Sequence, residues 1–178
     1  MNLPNILSVF RLFVTSFFII AIYYGRFKLA LALFVLQGVT DLLDGLLARL
    51  LKAKTSLGAY LDPLADKVML VSSYIVLCII DIMPLWVTAI VLLRDIIVPA
   101  GFLLLYKLSY KMEVSPSLLG KITTFCQIIT VVYVLWSDVR SYEEMFFYTT
   151  AFVTAVSGLH YIYVGLRMFF SKRPAYTP

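Results

Sequence analysis

The sequence predicts an all-α integral membrane protein, a bundle of six transmembrane helices with a short interfacial segment at its N-terminus. Three observations predict it. Hydrophobic residues make up 62% of the 178 residues and charged residues 14%, and the mean hydropathy is +0.94, far outside soluble globular usage. Six apolar stretches, at 6–24, 29–51, 57–80, 84–106, 118–136 and 145–169, each approach the roughly 20 residues that a helix needs to cross a bilayer. Nine of the fifteen Lys and Arg residues fall outside these stretches and divide unevenly between the two sides. No Pro/Gly/Ser-rich linker, low-complexity run or internal repeat divides the chain, so 1–178 reads as one domain.

The first stretch opens on Asn2-Leu3-Pro4-Asn5 and runs through an apolar series to Arg11. Asn and Pro at a first turn mark a helix start, and short amphipathic character before the span suits the membrane interface. Arg11 interrupts the apolar run and no small-residue cleavage site follows Ile20, so the stretch reads as a retained span. Spans two and three carry the acidic residues taken up below. Span four contains the adjacent pair Arg94 and Asp95. An ionisable pair at membrane depth is a functional candidate by default, and a neutralising internal pair is its plain alternative. Span five carries Lys121, Thr124 and Gln127 at helical spacing, which with Arg94 could receive a polar substrate. Span six is rich in Tyr and Phe, read as interfacial belt and lipid-facing residues, and His160 among them reads as a packing or interfacial residue.

An even number of spans leaves both termini on one side. The loops of that side hold Lys52, Lys54, Lys107 and Lys111, and the tail adds Lys172 and Arg173. Opposite lie Arg26, Lys28 and Arg140 among Asp81, Asp138, Glu143 and Glu144. The positive-inside rule then puts both termini in the cytoplasm. The net charge of +5 is spread between apolar spans rather than clustered, which argues against nucleic acid and for anionic lipid head groups as the partner. Cys78 and Cys126 both sit inside apolar spans, where a thiol behaves as a small hydrophobe, and no disulfide is implied.

The densest chemical information lies between Asp41 and Asp66. Asp41, Asp44 and Ala48 recur three and four apart, as do Gly58, Asp62 and Asp66, with Gly45 and Arg49 beside the first set. On helices each set forms a stripe. Four ionised carboxylates inside apolar segments are tolerated around a cation or in a wet cavity. Oxygen ligands without His or Cys nearby suit a hard ion such as Mg²⁺, Mn²⁺ or Ca²⁺ rather than zinc. Two such ions would neutralise the four charges and clamp a diphosphate for in-line displacement at phosphorus. The plain alternative is a set of structural carboxylates paired with Arg49, Lys67 and Arg11, and Gly45, Ala48 and Gly58 have the alternative of close helix packing.

The pattern D-x2-D-G-x2-A-R-x8-G-x3-D-x3-D, matched at all eight specified positions over 26 residues, resembles the signature of the CDP-alcohol phosphatidyltransferase family. The resemblance implies Asp41, Asp44, Asp62 and Asp66 as ligands of two divalent cations, Mg²⁺ or Mn²⁺, with Asp66 also the general base toward the acceptor hydroxyl. It implies room for the cytidine of CDP-diacylglycerol at Gly45 and Ala48, with Gly58 in the same binding set, and a phosphate contact from Arg49. Family members often begin with a similar N-x-P-N stretch followed by an Arg, which would turn Arg11 into the cavity. Arg11, Arg94, Asp95 and Lys121 are then the candidate acceptor-binding residues. The family also implies a homodimer, in a bacterial-type inner or plasma membrane or the mitochondrial inner membrane, with the site on the cytoplasmic or equivalent side.

Outside the signature the chain is similar to the cardiolipin synthase and phosphatidylglycerophosphate synthase branch, at Pro4-Asn5 to Arg11, Gly38 to Gly45, Leu61 to Lys67, Arg94-Asp95, Lys121 to Gln127 and Ala155 to Tyr161. Asp95 stands where phosphatidylglycerophosphate synthases usually have Glu, and the stretch from Gly101 to Lys107 lacks their usual Leu-Arg. These departures favour phosphatidylglycerol as the acceptor, giving cardiolipin, with glycerol 3-phosphate as the alternative. Two readings from other classes stand beside the enzyme. A divalent-cation transporter would distribute its acids along a path, whereas these cluster beside one loop. A membrane scaffold would not need all four acids.

Overall fold

The structure is a computed structural model that describes residues 3–50, 58–107, 118–136 and 142–170, with side chains described for these apart from 3–9, 42–50, 58–66, 106, 168 and 169. Lys52, Lys54, Lys111, Asp138, Arg140, Lys172 and Arg173, used above to orient the chain, lie outside the described residues. All regular structure among the described residues is α-helical: α1 (Leu3–Tyr23), α2 (Phe27–Leu50), α3 (Gly58–Ile79), α4 (Leu85–Lys107), α5 (Leu118–Trp136) and α6 (Glu143–Phe170). Each expected apolar stretch is therefore a helix. The helix start expected near Pro4 is found: α1 begins at Leu3, with Pro4 in its first turn, where the missing N–H costs nothing.

Among the described residues three helical stretches are long and apolar enough to cross a membrane: Leu85–Leu105, Leu118–Trp136 and Glu143–Arg167. α1 and α3 contribute the shorter apolar stretches Phe10–Tyr23 and Lys67–Ile79. The outer faces match an oily surround: Phe13, Phe17 and Ile20 on α1, Leu93 and Leu103 on α4, and Phe152 and Leu159 on α6 are all exposed.

The helix ends follow from local chemistry. At the end of α1, Gly25 takes a positive φ of 68°. The Gly25 N–H donates to the Ile22 carbonyl at 2.9 Å and the Arg26 N–H to the Ala21 carbonyl at 2.8 Å, the paired bonds of a Schellman stop. α3 ends the same way. Asp81 takes a φ of 57°, the Asp81 N–H donates to the Cys78 carbonyl at 3.1 Å, and the Ile82 N–H donates to the Leu77 carbonyl at 3.0 Å. Asp is among the few non-glycine residues that visit this region readily. Pro84 then starts the next helix, its carbonyl accepting from the Thr88 N–H at 3.2 Å.

The contacts divide the chain into two compact units, residues 1–83 with 131–140 and residues 84–130 with 141–178. In the first unit α1 packs against both α2 and α3. Its core is Val14, Phe18 and Ile22 of α1, Ala30 and Phe34 of α2, Tyr74 and Leu77 of α3, and Val131 and Leu135 from the end of α5. The Phe18 and Phe34 rings lie 5.8 Å apart.

In the second unit α4 packs along α6, with Trp86 and Tyr148 rings 5.2 Å apart. α5 is tied to α6 by polar side chains. Thr130 and Thr150 share a hydrogen bond of 2.6 Å, the Gln127 amide donates to the Thr154 hydroxyl at 3.5 Å, and the Thr150 hydroxyl donates to the Cys126 carbonyl at 3.3 Å. All of these side chains except Cys126 are buried. In an apolar medium such bonds replace the hydrophobic effect as the source of register between helices.

Candidate functional site

Each half of the acidic pattern lies on its own helix. Asp41, Asp44, Gly45, Ala48 and Arg49 occupy successive turns at the end of α2, and Gly58, Asp62 and Asp66 the first turns of α3. The side chains of Asp44, Gly45, Ala48, Arg49, Gly58, Asp62 and Asp66 lie outside those described, and among the described ones no group of three acidic, His or Cys residues gathers around a common point. Asp41 is the one carboxylate of the pattern whose side chain is described. Arg11 of α1, 1% exposed, donates from Nη1 to Asp41 Oδ1 at 2.7 Å, and the Asp41 side chain keeps 40% of its surface exposed. A buried guanidinium needs such a partner, and the exposed remainder of Asp41 leaves the carboxylate open to a ligand. An all-carboxylate donor set suits a hard divalent ion.

One turn away lies a second polar contact, between Thr15 and Gln37. Thr15 lies four residues after Arg11 and Gln37 four residues before Asp41, so each shares a helix face with its charged neighbour. Thr15 Oγ1 lies 3.0 Å from Gln37 Oε1 and donates to the Arg11 carbonyl at 2.9 Å. Thr15 and Gln37 are both buried. The signal that would have found them is polar residues at the same helical spacing as the charged pair, on the inward face of two otherwise apolar spans.

The basic residues expected on spans four and five lie in the second unit. Arg94 Nη1 donates to Asp95 Oδ1 at 2.9 Å, with both side chains largely buried. Arg94 also donates to the Ser157 hydroxyl at 3.3 Å and lies 5.7 Å from the centre of the Tyr161 ring, close enough for a cation–π attraction. The two residues are adjacent on α4, where neighbouring side chains point about 100° apart. The Arg94 stem runs beside Gly158, where a Cβ would meet Arg94 Cγ at 3.5 Å, an ordinary van der Waals contact. Ser157 and Tyr161 were not singled out by the sequence.

Lys121 is exposed on α5. Gln127, expected to share its role, is instead buried and bonded to Thr154. Six residues turn a helix by about 600°, which carries position 127 away from the Lys121 face. His160 is exposed, with its ring edge-on to Tyr161 at 6.2 Å.

The family model for CDP-alcohol phosphatidyltransferase matches residues 1–156. The chain is 35% identical over 175 residues to a CDP-diacylglycerol–glycerol-3-phosphate 3-phosphatidyltransferase of Sodalis glossinidius, covering 93% of this chain and 95% of that protein. It is 32% identical over 183 residues to a protein of Drosophila melanogaster named a probable cardiolipin synthase (CMP-forming), covering 91% of this chain and 57% of the fly protein. It is 33% identical over 185 residues to the cardiolipin synthase (CMP-forming) of Rattus norvegicus, covering 92% of this chain and 61% of the rat protein. The chain thus spans somewhat over half the length of these two animal relatives and nearly all of the bacterial one. With eight motif positions laid out on the end of α2 and the start of α3, and a family match over most of its length, the chain belongs to the CDP-alcohol phosphatidyltransferase family.

Proposed function

We propose that the chain is a membrane transferase that moves the phosphatidyl group of CDP-diacylglycerol to a glycerol-type alcohol with release of CMP, and that phosphatidylglycerol is the acceptor, giving cardiolipin. The observation that carries this reading is the eight-residue acidic pattern distributed over two helices that both pack on α1, with Arg11 of α1 bonded to the first of its carboxylates. All six helices are proposed to cross the membrane, with the site opening on the cytoplasmic or equivalent side and two copies forming the working dimer.

Asp41, Asp44, Asp62 and Asp66 would hold two divalent cations, Mg²⁺ or Mn²⁺, which when bound neutralise the diphosphate and draw charge from the departing CMP. Gly45, Ala48 and Gly58 would leave space for the nucleotide, and Arg49 would meet a phosphate with its permanently charged fork. Asp66 would take the proton from the acceptor hydroxyl. The hydroxyl oxygen then bonds to the phosphorus that carries the diacylglycerol, and the bond from that phosphorus to the CMP oxygen breaks.

Arg94, Asp95 and Lys121, with Arg11, are the residues proposed to receive the acceptor. Arg94 is held by Asp95 at 2.9 Å. The missing Leu-Arg in the stretch from Gly101 to Lys107 removes a cation that a small phosphorylated acceptor would use, and this favours the lipid acceptor, while the nearly full-length likeness to the Sodalis protein keeps glycerol 3-phosphate as the second reading.

The test is purified protein with CDP-diacylglycerol, Mg²⁺ or Mn²⁺, and each alcohol in turn, scored for CMP and for the product lipid. Cardiolipin with CMP is expected from phosphatidylglycerol. Product from glycerol 3-phosphate alone would reassign the acceptor. Absence of CMP with every alcohol, together with divalent-ion flux in proteoliposomes, would replace the enzyme with a transporter.

A further inference from the structure

The α1–α2 seam is a ladder whose rungs change character toward the acidic end. Counting forward on α1 and back on α2, Phe18 meets Phe34 with ring centres 5.8 Å apart, Thr15 meets Gln37 at 3.0 Å, and Arg11 meets Asp41 at 2.7 Å. The register is constant, so the rungs form one antiparallel interface. The apolar rung needs no explanation in a membrane bundle. The ionic rung belongs to the proposed site.

The middle rung is different. An apolar pair would fill its space, yet the chain buries an amide there at 2% exposure. Gln37 Nε2 has no hydrogen-bond partner among the described residues. A half-satisfied buried amide is costly in a medium without water.

The hydrogen count explains what the amide does. The Thr15 hydroxyl has one proton, and it stands within bonding distance of both the Arg11 carbonyl at 2.9 Å and the Gln37 amide at 3.0 Å. If that proton goes to the Arg11 carbonyl, the amide serves best with its nitrogen toward Thr15, donating to the hydroxyl oxygen, because amide oxygen and nitrogen are assigned by such networks. A chain of two bonds then runs from α2 through the Thr15 hydroxyl to the backbone of Arg11. The residue that grips Asp41 is thereby fixed by the same helix that carries Asp41.

We infer that Gln37, acting through Thr15 and Arg11, is a positioning residue that sets the Asp41 carboxylate for divalent-ion binding. This rests on the proposed reading of Asp41 as a metal ligand. Partners one shell beyond a ligand commonly change metal affinity about 10- to 100-fold. Gln37 acts three contacts from Asp41, through Thr15 and Arg11, so a smaller effect of about three- to tenfold is expected on the same basis.

The test uses Q37M, which keeps length and volume without the amide, T15V, which keeps shape without the hydroxyl, and T15S, which restores the hydroxyl. Mn²⁺ binding is followed directly by the loss of the free-ion electron paramagnetic resonance signal, and separately as the Mn²⁺ concentration that gives half-maximal CMP release. Q37M and T15V are expected to raise both concentrations about three- to tenfold, with kcat at saturating Mn²⁺ within about twofold of wild type on the same reasoning. T15S should restore wild-type binding, and the double variant T15V/Q37M should be no worse than either single one, since both break one chain of bonds.

Variants that melt earlier but bind Mn²⁺ like the wild type would reduce the rung to a helix-packing device and overturn the inference alone. A wild-type protein that neither binds Mn²⁺ nor releases CMP would overturn the reading of the acidic site, and the inference with it.

Discussion

Arg11 and Asp41 show how one contact can serve stability and chemistry together. A guanidinium buried to 1% exposure on α1 depends on its carboxylate partner, so removing that carboxylate strands a charge. Asp66, by contrast, is proposed to act on the acceptor. The two aspartates should therefore separate when neutralised. D66N is expected to abolish CMP release while leaving expression, membrane insertion and thermal stability near wild type. D41N is expected to abolish release and also to destabilise the protein by about 1–3 kcal/mol, the cost of an uncompensated buried polar group, at the lower end because Asp41 is part-exposed. Release by D66N at near-normal rate would exclude it as the base. Equal stability of D41N and wild type, measured by thermal unfolding in detergent, would show that Arg11 has other sufficient support. The charged residues of this site were legible from sequence because ionisable groups in apolar spans stand out by type. Thr15 and Gln37 were not, since a lone Thr or Gln in a span is unremarkable until a neighbouring helix places its partner 22 positions away at hydrogen-bond distance.

At the scale of elements, the two short connections and the α5–α6 seam carry separable energies. Asp81 holds a left-handed backbone at the end of α3, a conformation that costs an L-residue roughly 1–2 kcal/mol and glycine almost nothing. The stability order Gly, then Asp, then Val is expected at this position, with D81G gaining about 1 kcal/mol. D81V should lose more than that, since β-branched residues are strained there. An order in which Val equals Asp in thermal unfolding would mean that the turn relaxes into another conformation. In the seam, T130V removes a 2.6 Å bond to Thr150 but leaves the Thr150 hydroxyl its Cys126 carbonyl acceptor. The loss should be about 0.6 kcal/mol, the usual worth of an interhelical hydrogen bond in a membrane protein, and T130V/T150V should lose little more, because both partners are then apolar. A double variant that loses twice the single value would show two independent bonds. Helix positions were legible from sequence because each apolar stretch is long enough to be read by length alone. Their pairing was not. Nothing in the apolar pattern of α5 says that its inward face meets α6 through threonines, or that Gln127 turns to Thr154 on a face away from Lys121.

For the whole molecule, the acidic site and the orientation of the chain are one question, because the proposed donor CDP-diacylglycerol and the proposed cytidine pocket must meet on the same side of the membrane. The proposed six crossings would put the connection after α2, the connection after α4 and the C-terminal tail on one face and the turns after α1, α3 and α5 on the other. The excess of Lys and Arg in the first set would then turn that face toward the cytoplasm. The described residues supply three long apolar spans, and cysteine labelling measures the full count. Cys78 and Cys126 are both partly buried and unpaired by a disulfide, so replacing them with Ala gives a background for single cysteines at Lys54, Lys111 and Lys172 on one face and at Arg26 and Arg140 on the other. In sealed right-side-out vesicles a membrane-impermeant maleimide is expected to label Arg26→Cys and Arg140→Cys, and to reach Lys54→Cys, Lys111→Cys and Lys172→Cys only after permeabilisation. Labelling of Lys54→Cys and Lys111→Cys from opposite sides would mean that α3 and α4 do not cross as a pair. Labelling of Lys54→Cys from outside would turn the acidic motif away from the cytoplasm. Measuring CMP release from the same variants ties the two results together: an active protein with Lys54→Cys shielded puts the chemistry beside the loop that joins α2 to α3, where the signature predicts it.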